Sequence, residues 1–139
     1  MLRIELADWK TAQAEAKRIR FAVFVEEQGV PPELEMDDND PACLHALAYD
    51  GERVIGTGRL LPDGHIGRMA VLKDRRGRGA GRALLRKLVE AARSRGDREV
   101  QLSAQVHALG FYLAEGFQPE GPVYEEAGIP HQAMRRRLD

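Results

Sequence analysis

Residues 66–95 read IGRMAVLKDRRGRGAGRALLRKLVEAARSR, and this stretch decides the architecture. Residues 66–72 predict a short apolar strand. A basic, glycine-rich turn follows at 74–81. Beyond it, Leu84, Leu85, Leu88 and Ala92 fall on one face of a helix. Strand, turn and helix in that order form a device for holding phosphate. The first N–H groups of the helix have no intrahelical acceptor, and the helix dipole adds partial positive charge beside them. Glycine lets the backbone approach a ligand closely. Arg75, Arg76, Arg78 and Arg82 add full charges at the same place.

The spacing discriminates between phosphate ligands. A Walker A loop needs Lys-Ser/Thr after its second glycine; counting from Gly77 or Gly79 reaches Arg82 or Leu84 instead. A dinucleotide fingerprint starting at Gly77 needs glycine at position 82, which is Arg82. What fits is Arg76-Gly77-Arg78-Gly79-Ala80-Gly81, the pattern [Q/R]-x-x-G-x-[G/A], after a strand containing Met69-Ala70-Val71. Set between that strand and an amphipathic helix, the segment resembles the acetyl-coenzyme A loop of the GNAT N-acetyltransferase superfamily.

Composition narrows the alternatives. A chain of 139 residues is one domain by size, 1–139. Apolar residues make up 43%, enough for a core. The formal net charge of −1 argues against general nucleic-acid binding, so the basic cluster suits a small polyanion. Cys43 is the single cysteine, so no internal disulfide framework is possible, and it reads as core rather than nucleophile. No apolar run is long enough to cross a membrane, and residues 1–20 are charged and amphipathic, unlike a secretory leader. A cytoplasmic protein without membrane or nucleic-acid partners is expected. No metal is expected either: the four histidines do not pair at ligand spacing, and the acidic residues at 37–40 do not make an EF-hand loop.

The remaining chain supplies strands and helices around this centre. Residues 2–6 alternate as a first strand, and Asp8 can cap the helix that follows. That helix carries Ala12, Ala16, Ile19 and Val23 to about Val25, and Gly29 and Pro31-Pro32 stop it. The acidic stretch at 33–40 reads, on charge alone, as a solvated loop. Residues 43–49 and 53–60 are strands joined by Asp50-Gly51, a hairpin signal. Gly96-Asp97 ends the long helix, and residues 99–104 read as a buried strand. Residues 106–115 read as a short helix closed by Gly116. Residues 117–124 and 132–138 predict a last antiparallel pair. The order implies a mixed sheet flanked by helices.

This order is similar to the GNAT fold from end to end. The segment Phe111-Tyr112-Leu113-Ala114-Glu115-Gly116-Phe117 looks like the superfamily's F-Y-x-x-x-G-F. Residues 20–29 (RFAVFVEEQG), Glu35-Met36-Asp37, His45, Gln105-Val106-His107 and residues 128–134 (GIPHQAM) resemble its ElaA-like branch. The resemblance implies an α/β (α+β) fold. Its central sheet should be mixed, mostly antiparallel, of six to seven strands, splayed between the fourth and fifth. It further implies that the pantetheine arm of acetyl-coenzyme A lies in the splay against Met69, Ala70 and Val71, with the Val71 N–H on the thioester carbonyl. The pyrophosphate would sit on residues 76–82, that is Arg76, Gly77, Arg78, Gly79, Ala80, Gly81 and Arg82. Tyr112 would protonate the departing thiolate.

Attack needs a neutral amine, and a Lys-type amine has a pKa of ~10.4, so some group must take its proton. Glu26, Glu27, Glu125, Glu126, His107 and His131 are candidates, with Glu126 and His131 favoured. His45 and His65 read as structural or surface residues. The expected activity is transfer of an acetyl group from acetyl-coenzyme A to a primary amine on a small molecule or peptide, in a ternary complex. Two other readings stay open. Arg20, Phe24, Glu35, Asp37 and Asp40 are spaced rather as in acyl-homoserine lactone synthases, and the loop alone would also suit a non-catalytic acyl-coenzyme A sensor. Exposed strands near the C-terminus allow a monomer or a homodimer.

Overall fold

The computed structural model describes residues 1–138. Strand β1 (Leu2–Ala7) leads into helix α1 (Trp9–Arg20), which runs on without a break as a π-helix, Phe21–Glu27. A short helix α2 (Pro32–Glu35) precedes β2 (Leu44–Asp50), β3 (Arg53–Leu60) and β4 (Ile66–Val71). Helix α3 (Ala80–Ser94), β5 (Glu99–Gln105), α4 (Leu109–Ala114), β6 (Gln118–Glu126) and β7 (Ile129–Arg137) complete the described chain.

Local chemistry explains the boundaries. The Asp8 carboxylate accepts from the Thr11 N–H at 2.9 Å and starts α1. Gly96, at φ +96°, ends α3: its N–H donates to the Arg93 carbonyl, and the Asp97 N–H donates to that of Ala92. The expected end of α1 near Val25 falls inside the π-helix. There the Gln28 N–H reaches back five residues to the Val23 carbonyl.

Among the described residues seven strands form two sheets, ordered β1-β2-β3-β4 and β5-β7-β6, with every pairing inside them antiparallel. A parallel bridge, His65 with Gln101, joins them, the Gln101 N–H donating to the Gly64 carbonyl at 3.1 Å. Beyond it β4 and β5 part, at the expected place. Helix α3 covers one face with Leu84, Leu85, Leu88 and Val89 in a core shared with Val100, Leu102, Phe117 and Met134. Helix α1 covers the other with Ala12, Ala16 and Ile19, joined by Val23 of the π-helix, against Leu47, Val54 and Ala70. Truncating a core leucine such as Leu88 to alanine would cost about 2–5 kcal/mol. Two glycines of β3 permit the packing. A β-carbon on Gly56 would stand 3.0 Å from Leu84 Cδ1, and one on Gly58 would stand 2.5 Å from Met69 Sδ.

The acidic stretch is not a solvated loop. Glu35 and Asp40 are buried, and so are their partners Arg20 and Arg59. Arg20 donates to Glu35 through Nε and to Asp40 through Nη1 at 2.9 Å. Arg59 bonds Asp40 at 2.9 Å and grips both oxygens of Asp37, at 2.8 and 2.6 Å. Burial without pairing would be prohibitive for these charges, so the cluster closes on itself. His45 and Cys43 are structural, as expected: His45 Nε2 lies 2.9 Å from the Asp40 carbonyl, and the Cys43 thiol donates to that of Asn39.

Candidate active site

The splay opens a cavity of about 1350 Å³. Its walls carry Met69, Ala70 and Val71 of β4, and Arg76, Gly77, Gly79, Ala80, Gly81 and Arg82 of the turn and α3. Tyr112, Glu126 and His131 line the same cavity. Of the expected site residues Arg78 stands outside the lining and is exposed, and of the candidate proton acceptors Glu26 and Glu125 also stand outside it.

Strand periodicity decides which β4 groups face the opening. Successive N–H groups of a strand point to opposite sides. The Leu72 N–H donates to the Ile55 carbonyl of β3 at 2.9 Å. The Val71 N–H, one residue earlier, therefore faces β5, and so does that of Met69, two residues before it. β5 pairs with β7 and offers neither an acceptor. The Val71 carbonyl takes the Arg76 Nε–H at 3.0 Å, which clips the turn to the strand.

At the turn, the N–H groups of residues 77–82 have no backbone acceptor among the described residues. Gly77 (φ +80°) and Gly79 (φ +87°) take left-handed conformations that aim these groups, and a β-carbon at either would meet nothing within 4 Å. Six free donors, the N-terminus of a 15-residue helix and three arginines make an anion site. The Arg76 guanidinium already holds a carboxylate, Glu27 of the π-helix, by two bonds of 2.5 and 2.6 Å. That pairing keeps the Glu27 carboxyl below its usual range, and it is no longer a free base. Gln28 and Gln105 exchange amide hydrogen bonds, and the His107 Nε2–H donates to Gln105 Oε1 at 2.6 Å.

On the opposite wall the β6–β7 hairpin turns through Ala127 (φ +53°) and Gly128 (φ +76°). The tight turn sets Tyr124 opposite His131. The buried His131 ring stacks on Tyr124, whose hydroxyl contacts Ser103 Oγ of β5. His131 Nδ1 lies 2.7 Å from the Ile129 carbonyl. A carbonyl only accepts, so Nδ1 carries the proton, and in the neutral ring Nε2 keeps its lone pair. Nε2 is 3.6 Å from the Glu126 carboxylate. Tyr112, on α4, packs edge-on against Phe111 and Phe117, and burial pushes its phenol up to about 12. Among the described residues its hydroxyl has no hydrogen-bond partner.

Sequence reasoning missed Arg68, which also lines the cavity. It sits at φ +49° in a β-bulge, where Arg68 and Met69 together oppose Gly58. No glycine marks the left-handed position, so the only signal was the glycine across the ladder.

Comparison with known proteins agrees with this geometry. Residues 9–138 match the acetyltransferase (GNAT) domain family. The Bacillus subtilis protein named uncharacterized N-acetyltransferase YjcF is 37% identical over 122 residues, covering 85% of this chain and 87% of its own. The crystal structure of Escherichia coli ElaA superposes with a TM-score of 0.88 at 30% identity, covering 99% of this chain and all of the other. An acyl-CoA N-acyltransferase from Pseudomonas aeruginosa superposes at 0.87, also 30% identical, with 98% and 99% covered. The chain belongs to the GNAT acetyltransferase family, and ElaA is among its relatives.

Proposed function

We propose that the protein is an N-acetyltransferase that moves the acetyl group of acetyl-coenzyme A to a primary amine by direct attack in a ternary complex. The observation that carries this reading is the continuity of one cavity between the open β4 edge and the free amides of the turn. An extended pantetheine arm fits the unpaired edge as a strand would, and a pyrophosphate fits the amides. Arg76, Arg78 and Arg82 add charge there. The residues present suit the coenzyme, and no metal is part of the scheme.

The Val71 N–H would bind the thioester oxygen and stabilise the charge that develops on it. One such donor contributes on the order of 10²–10³ in rate. His131 Nε2, with Glu126 beside it, would take the amine proton. Freeing a Lys-type amine at pH 7 costs roughly 4–5 kcal/mol, so a placed acceptor matters. Nitrogen attacks the carbonyl carbon, the C–S bond breaks, and the thiolate takes the proton of Tyr112. A phenol near 12 is a weak acid for that task. The same burial would raise the basicity of a thiolate in the cleft, so the transfer stays mildly uphill and depends on close placement of the hydroxyl.

The acceptor is a small molecule or peptide amine. The reading places the protein in the cytoplasm, where acyl-coenzyme A is made, and no helix of the described residues is long and apolar enough to cross a membrane. The outer strand β6 is exposed along its length, which suits either a monomer or a homodimer. The deciding experiment incubates the protein with acetyl-coenzyme A and an amine panel and follows free thiol. Amine-dependent thiol release supports the transferase. Binding without release on any amine would leave a sensor, and release only with an acyl-carrier donor would leave a lactone-synthase-like enzyme.

A further inference from the structure

The left-handed bulge at Arg68 is costly and specific. A non-glycine residue at positive φ gives up about 1–2 kcal/mol, and such residues persist where surrounding contacts hold them. Here Arg68 Nε and Nη2 both donate to the Glu35 carbonyl, at 3.3 and 3.2 Å, and Nη2 also reaches Asp37 Oδ2 at 3.3 Å. These bonds anchor one side of the guanidinium. Nη1 has no partner among the described residues, and the side chain lines the cavity. Arg59, buried to 4% exposure, lines the same cavity, and its Nε is enclosed without a hydrogen bond.

Charge bookkeeping within the cluster is already closed. Arg20, Arg59 and Arg68 face Glu35, Asp37 and Asp40, so the folded chain does not require a further anion. Arg68 Nη1, on a side chain that lines the cavity, is therefore spare capacity. Arg68 precedes Val71 by three residues on β4, roughly 10 Å back along the strand. Leu34, Leu61 and Ile129 supply apolar wall in the same cavity, and Glu126 supplies a negative charge. The cavity thus presents the Glu126 carboxylate and the Arg68 guanidinium together with apolar wall.

We propose that Arg68 binds a carboxylate of the acceptor, so that the substrates are amines that also carry a carboxylate, of the amino-acid class. The bulge re-aims this one side chain from the sheet face into the cavity. The acceptor's amine lies toward His131 and Glu126, and its carboxylate meets Nη1 of Arg68. Desolvation and the neighbouring Arg59 lower the Arg68 pKa, and an acceptor carboxylate relieves that penalty. Arg68 is a specificity-determining residue in this scheme and takes no part in bond making.

The proposal rests on the transferase reading, and the test separates the two. Acetyl-coenzyme A binding is measured first by calorimetry. Thiol release is then compared for matched pairs, each an amino acid and its decarboxylated amine: lysine and cadaverine, tyrosine and tyramine, tryptophan and tryptamine. The expected result is at least a tenfold preference in kcat/KM for the carboxylated member, residing in KM. Arg68→Gly, which keeps the positive φ without strain, should collapse that ratio to near one, and Arg68→Lys should recover part of it. Equal use of both members, or no turnover of any carboxylated member, overturns the Arg68 assignment while leaving the transferase reading intact if other amines react. A ratio that survives in Arg68→Gly also overturns it. If Arg68→Gly does not fold, the wild-type ratio and Arg68→Lys decide alone. Absence of acetyl-coenzyme A binding overturns both readings.

Discussion

Arg76 and Glu27 are joined across the mouth of the cleft by a two-point ion pair, with bonds of 2.5 and 2.6 Å. Both side chains keep substantial solvent exposure, so the pair contributes about 1 kcal/mol or less. A pyrophosphate arriving at the turn competes with Glu27 for the same guanidinium. Removing the carboxylate removes the competitor. Glu27→Gln should therefore tighten acetyl-coenzyme A binding about three- to fivefold and steepen its salt dependence. Calorimetry at two ionic strengths reads both. Unchanged affinity would mean that Arg76 stays with the π-helix when the coenzyme binds.

The two ends of α3 allow a paired test of the loop. Gly79 and Gly96 both stand at positive φ, +87° and +96°, with no atom within 4 Å of an added β-carbon. Alanine at either position costs backbone strain of about 1–2 kcal/mol. Only Gly79 lies at the free amides. Gly79→Ala should weaken acetyl-coenzyme A binding at least tenfold, whereas Gly96→Ala should lose the same stability in urea and bind normally. Equal affinities for the two variants would refute the loop assignment.

Tyr112→Phe keeps the ring and its packing on Phe111 and Phe117 and removes only the hydroxyl, the proton donor. Turnover should fall at least tenfold while acetyl-coenzyme A affinity stays within about twofold. With its pKa raised to about 12, the phenol stays protonated through pH 10, so Tyr112 adds no alkaline limb to the pH–rate profile below that. A near-wild-type rate in the variant would remove Tyr112 as the acid.

The turn, the hairpin at Asp50-Gly51 and the cap at Asp8 were legible because each depends on a few adjacent residues. The α3 stripe was legible because its period matches one packed face. Other features depend on distant partners. Glu35 lies 15 residues from Arg20 and 33 from Arg68, and Asp40 lies 20 from Arg20 and 19 from Arg59, so no local pattern distinguishes them from a solvated acidic run. The π-helix hid because the apolar spacing through Val23 suits either helix type. The Arg68 bulge hid because an arginine gives no sign of a left-handed backbone. The His131 and Glu126 partnership follows from the register of a two-residue turn whose first member is Ala127 rather than the expected asparagine or glycine.

The buried cluster predicts how the fold fails in acid. The Asp37 carboxyl is held far below its usual value by the hydrogen bonds from Arg59. Burial pushes the Asp40 carboxyl up, but Arg20 and Arg59 outweigh it, and the net shift is downward. A carboxyl with a folded pKa below its unfolded value stabilises the fold above the unfolded pKa, ~3.9 for aspartate. That contribution disappears as the pH falls from there toward the folded pKa. Urea unfolding should therefore show nearly constant stability from pH 7 to 5 and a steep loss below 4. Asp40→Asn takes one carboxylate partner from each of the buried Arg20 and Arg59 and leaves the cluster with one uncompensated positive charge, so it should cost about 3–5 kcal/mol at pH 7. The variant should also lose less on acidification than the wild type, because one of the responsible protons no longer exists. Parallel pH profiles for wild type and Asp40→Asn would show that the acid transition originates elsewhere.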